Sequence, residues 1–71
     1  MRRGMEYTNS QIRELIAEHI HSQRDREILS MKLIEGMTFE RIAETVDMST
    51  VQVKRIVYRE RPMLFSHMSQ N

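Results

Sequence analysis

Residues 38–58 read TFERIAETVDMSTVQVKRIVY, and the spacing of their apolar side chains decides the fold. Phe39, Ile42, Ala43 and Val46 recur at i, i+3, i+4 and i+7, the stripe of a short amphipathic helix, and Thr38 stands before them as a cap. Val46-Asp47-Met48-Ser49 then reads as a tight connection. Ser49-Thr50-Val51-Gln52 is a serine capping box, in which the hydroxyl accepts from a first-turn amide while the glutamine reaches back. It opens a second helix whose inward face is Val53, Ile56 and Val57. Two helices that cross steeply need a small residue at closest approach. Ala43 supplies it, and Ile42, Val46, Met48, Val53 and Ile56 fill the seam.

Upstream, Ile12, Leu15, Ile16 and Ile20 form another helical stripe behind the capping box Thr8-Asn9-Ser10-Gln11, which places a helix over 9–21. Ser22-Gln23-Arg24-Asp25 is a weaker box, with aspartate where glutamate or glutamine is usual, and Gly36 lies where a left-handed residue would close the helix. The helix between them, about 23–35, has Ile28, Leu29, Met31, Leu33 and Ile34 around most of its circumference, as a central helix covered on two sides would. Downstream, Arg61-Pro62 predicts the end of the last helix, because proline removes an interior donor and clashes with the preceding turn. The remainder, 62–71, reads as a tail, and its last residues, Ser66 to Asn71, lack periodicity and are expected to fray. Met63, Leu64 and Phe65 either dock on the core or join Met68 in an exposed apolar cluster.

The expectation is one all-α domain over 1–71, of about four helices. At 71 residues a chain buries only about 60% of its unfolded surface, enough for a small core but not for a deep substrate cavity. The absence of cysteine excludes disulfides and thiolate metal sites and suits a reducing cytoplasm. No run approaches the roughly 20 apolar residues of a membrane helix, and Met1-Arg2-Arg3-Gly4 does not lead into a signal-peptide core. Neither membrane insertion nor secretion is expected.

Two helices joined by a short turn, the second opened by a serine cap, are the helix-turn-helix plan, whose second helix enters the major groove of DNA. The residues that carry a family likeness are Arg24-Asp25-Arg26-Glu27-Ile28-Leu29, then Glu35 to Ala43, then Ser49 to Lys54, within the runs EGMTFERIAE and MSTVQVKRI. Over residues 23–61 the chain resembles region four of bacterial RNA polymerase sigma factors and the regulators that share its helix-turn-helix. The resemblance implies sequence-specific binding of double-stranded DNA and regulation of transcription in a bacterium or its mobile elements. It places the base-reading positions on Thr50, Val51, Lys54 and Arg55. The chain departs from the pattern at Asp47, where the turn is often glycine, and at Thr50 and Val51, where primary sigma factors carry arginine and glutamate. Their promoter preference therefore does not transfer. The core-binding and promoter-melting regions of a sigma factor find no counterpart in these residues, so action as a complete sigma factor is not expected.

Helical projection independently turns Val51, Arg55 and Tyr58 outward, flanked by Gln52, Lys54 and Arg59. Lys54 or Arg55 can donate to guanine, Gln52 can pair with adenine, and Val51 can touch a thymine methyl. Thr38, Arg41, Ser49, Tyr58 and Arg59 suit phosphate or sugar contacts. The net charge is only +1, but residues 49–61 carry a local +3 and residues 36–48 a local −2, which puts the basic charge where DNA would lie. So few cations predict weak binding by one copy. A homodimer contact through 9–21 or a polymerase partner would compensate, although covering helix 23–35 is the simpler use of the same apolar stripe.

Catalysis finds no constellation. His19 and His21 point to different faces of a helix, His67 falls in the tail, and no glycine-rich phosphate loop occurs. Asp25 with Glu27, and Glu40 with Glu44, read as first-turn and solvent-face charges. No enzyme activity, metal or cofactor is expected. Two other functions remain open from sequence: a module that binds RNA polymerase or a sigma-associated factor, and a phage or mobile-element accessory protein of DNA packaging or recombination.

Overall fold

Four side-chain caps set where the helices of this protein begin. A computed structural model describes residues 7–68, with side chains through residue 66, and these residues form α1 (Asn9–His19), α2 (Gln23–Leu33), α3 (Phe39–Val46) and α4 (Thr50–Met68). Among the described residues the architecture is all-α. Residues 1–6 and 69–71 and the side chains of His67 and Met68 lie outside the description; of the stretch 66–71 expected to fray, residues 66–68 are instead the last turn of α4.

Thr8 and Gln11 form the reciprocal box that opens α1: the Gln11 amide donates to the Thr8 hydroxyl at 3.1 Å and the Thr8 amide to Gln11 Oε1 at 2.9 Å. Ser22 accepts from the Asp25 amide at 3.3 Å, and Thr38 from the Arg41 amide at 3.1 Å. The helix predicted over 9–21 stops at His19, and Ile20 is its extended C-cap. Arg26 explains the stop, since its guanidinium donates to the carbonyls of both Ala17 and Ile20 and thereby closes the α1 end from the first turn of α2. Helix 23–35 likewise ends at Leu33, and Gly36 adopts φ +70°, the left-handed geometry that glycine takes without steric cost.

The core gathers Ile16 and Ile20, Ile28 and Leu29, Ile42 and Ala43, Val53 and Val57, and Leu64, all buried. α2 touches each of the other helices, which accounts for its wide apolar circumference. Around it, Ile12, Leu15, Met31, Leu33, Ile34, Phe39, Val46, Met48 and Ile56 are half-buried against the cluster.

Proline 62 does not end the last helix. α4 continues through it to Met68 and buries Leu64 completely. An interior proline costs about 3 kcal/mol. Burial of a leucine side chain returns roughly 1.5–3 kcal/mol. The ring of Phe65 also stacks on Tyr7, centroids 6.5 Å apart. Tertiary packing thus offsets the local break. Of the three apolar tail residues, Leu64 docks, Phe65 is half-buried, and only Met63 stays exposed.

Candidate nucleic-acid interface

The turn between α3 and α4 is three residues long, and Asp47 makes it possible by adopting φ 59° and ψ 49°. Aspartate enters this left-handed region more readily than most residues that carry a Cβ. The Asp47 amide donates to the Ala43 carbonyl, and the Met48 amide reaches the same oxygen at 3.0 Å. Ser49 then caps α4, accepting from the Gln52 amide at 3.1 Å while its own amide donates to Gln52 Oε1 at 3.2 Å. Ile42, Ala43 and Val53 are buried in the seam, with Val46, Met48 and Ile56 half-buried.

That seam fixes the rotation of α4. With Val53 and Val57 buried, the opposite face presents Val51 at 62% and Tyr58 at 60% exposure, together with exposed Lys54 and Arg55. Thr50 is half-buried at the first turn, so it offers less surface than the other three positions implied by the resemblance. Gln52 is exposed, but its Oε1 is held by the Ser49 amide and lies 3.3 Å from the Ser49 hydroxyl. Bidentate pairing with adenine needs both ends of the amide, so in this conformation Gln52 offers only its NH2 group.

The residues expected at the phosphate backbone divide. The Thr38 and Ser49 side chains sit at the first turns of α3 and α4, both exposed. Arg41 is exposed on α3, and none of the ion pairs among the described residues includes it, Lys54 or Arg55. Arg59 differs. Its guanidinium lies 3.1 Å from Glu60 and 3.5 Å from Asp25, so carboxylates already neutralise it in part. Glu60 is pushed up from 4.5 to about 6, mainly by burial and then by the neighbouring Asp25 carboxyl, against the opposing pull of Arg59. Its Oε1 is buried without a hydrogen-bond partner. Asp25, read from sequence as a first-turn charge, is that, and it also reaches 34 residues along the chain to Arg59.

Phe39 has a role that its helical spacing does not announce. Its ring meets the Tyr58 ring edge-on at 5.7 Å between centroids, and Lys54 Nζ lies 5.7 Å from its centroid. The ring is a floor under two of the outward side chains of α4. Periodicity marks Phe39 as core-facing and cannot show which neighbours a ring at the edge of the core will touch.

The α1 stripe proposed for a second copy is occupied within the fold: Ile16 and Ile20 are buried, and Ile12 and Leu15 half-buried. Two surface hollows, of about 210 Å³ and 310 Å³, are lined only by residues between Ser10 and Glu35 and include none of the candidate contacts. Among the described residues, no helix is long and apolar enough to cross a membrane, and no three acidic, histidine or cysteine side chains gather as a metal site. No family model, curated protein or solved structure matches the chain.

Proposed function

We propose that this protein is a sequence-specific regulator that binds duplex DNA through a helix-turn-helix formed by α3 and α4. The observation that carries the reading is the outward face of α4, where Lys54 and Arg55, free of carboxylate partners among the described residues, stand beside exposed Val51 and Tyr58. Entry of this face into the major groove brings donors to guanine edges and an apolar side chain to thymine methyls, each good bidentate base contact worth about 1–3 kcal/mol of discrimination. Thr38, Ser49 and Arg41 then lie on the flanking turns, where phosphate contacts fix register. The resemblance to sigma region four points the same way. The regulator acts by occupying or recruiting at a site, with no chemistry of its own.

Selection of fragmented genomic DNA by the purified protein, beside the variant in which Lys54 and Arg55 are both alanine, tests this at about 0.1 M salt. A recurring motif that the variant loses is the expected result, and its symmetry reports whether two copies bind together. Equal recovery by both proteins overturns the assignment. The competing reading, a polymerase-binding module, drew on exposure of Met63 to Phe65; with Leu64 buried, its exposed apolar surface shrinks to Met63.

A further inference from the structure

The cations near α4 differ in what holds them, and one of them belongs to α2. Lys32, in the last turn of α2, places Nζ 4.2 Å from the centroid of the Phe39 ring and donates to the Met37 carbonyl at 3.1 Å. The same ring carries Lys54 and Tyr58. One aromatic side chain therefore contacts both a half-buried α2 ammonium and two outward side chains of α4. None of the ion pairs among the described residues involves Lys32. Its two partners, a π face and a carbonyl, steady the ammonium without cancelling its charge, and an ammonium has three donors, of which Met37 takes one. Arg59 is the opposite case, a cation already paired with acids.

We infer that Lys32 is part of the nucleic-acid surface and contacts a backbone phosphate of duplex DNA beside the groove that α4 enters, with Phe39 fixing the position of its ammonium. The inference rests on the DNA-binding reading above and extends the footprint from α3 and α4 onto α2. A phosphate contact of this kind adds affinity for every sequence alike and leaves the choice of bases to α4. Closing the C-terminal end of α2 is the other service a lysine performs there, and it affects stability alone.

The test is affinity for the selected DNA measured across a salt series. Lys32→Met keeps the apolar stem and removes the charge, Lys32→Gln keeps a donor for the Met37 carbonyl, and Lys32→Arg keeps the charge; thermal melting identifies which variants are folded. Either folded neutral variant is expected to bind all sequences about three- to tenfold more weakly at 0.1 M salt and to lower the slope of log affinity against log salt by about one, with Lys32→Arg restoring both. An unchanged slope in a folded neutral variant, while the Lys54 and Arg55 double variant loses binding, overturns the role of Lys32 and leaves the DNA reading standing. Failure of the unaltered protein to bind any duplex overturns both.

Discussion

Through residue 61, α4 buries one stripe and shows the other to solvent; beyond Pro62 it sinks Leu64 into the core and sets Phe65 against Tyr7. The two halves are one helix, yet they take their places from different sources. The first is set by α3, a turn away in the chain, through the Asp47 bend and the Ser49 cap. The second is set by the core cluster that all four helices share, which takes Leu64, and by Tyr7, which meets Phe65. A surface offered to a ligand and a foundation for the fold are thus separated along one element.

The largest expected effect comes from the foundation. Leu64→Ala should cost about 2–5 kcal/mol, because the side chain is fully buried and its removal leaves a cavity. A core of this size rarely supplies more than about 3–5 kcal/mol, so the variant should be largely unfolded at ambient temperature. Urea denaturation followed by circular dichroism measures it. A loss below about 1 kcal/mol would show that the second half only leans on the fold, and the contrast between the halves would collapse.

Pro62→Ala sharpens the same contrast in the opposite direction. Without an N–H at position 62, the Tyr58 carbonyl lacks its regular helical donor, and alanine restores it. The expected gain is about 1–3 kcal/mol of stability, read from the same denaturation curves, with DNA affinity unchanged because Pro62 is not among the proposed contacts. Destabilisation would mean that the proline ring, rather than the docking of Leu64, shapes the second half.

Sequence made the first half legible because its determinants are local. Thr38, Asp47, Ser49 and Gln52 act within four residues of where they stand, and the inward and outward faces follow from helical spacing alone. Thr8, Ser22 and Gly36 were readable for the same reason. The second half was misread at Pro62 because proline sends a local signal to stop, whereas the gain from burying Leu64 depends on elements far upstream. The candidate site shows the same division. Lys54 and Arg55 project outward by spacing, but the neutralisation of Arg59 by Asp25 and the ring of Phe39 beneath Lys54 exist only after folding. Gln52 stands between: its capping box is visible in sequence, but that the box holds the Oε1 end needed for adenine pairing is a finding of the folded structure.

Glu60 sits at the junction of the two halves and gives the smallest effect, in a form that separates them. Its folded pKa of about 6 lies above the ordinary 4.5, so the folded state holds this proton more tightly than the unfolded chain does. Its contribution to stability is therefore fully present below about pH 4.5 and lost as the pH rises through about 6, by at most about 2 kcal/mol. Glu60→Gln removes the titration while its amide oxygen can still accept from Arg59. Thermal melts from pH 4.5 to 7.5 should show the variant about 1 kcal/mol more stable than the unaltered protein at the upper end, with the difference vanishing at the lower. Superimposable pH profiles would mean that the Asp25, Arg59 and Glu60 cluster is solvated. Loss of one carboxylate also frees Arg59 in part, so DNA affinity should rise modestly in the variant at pH 7.5.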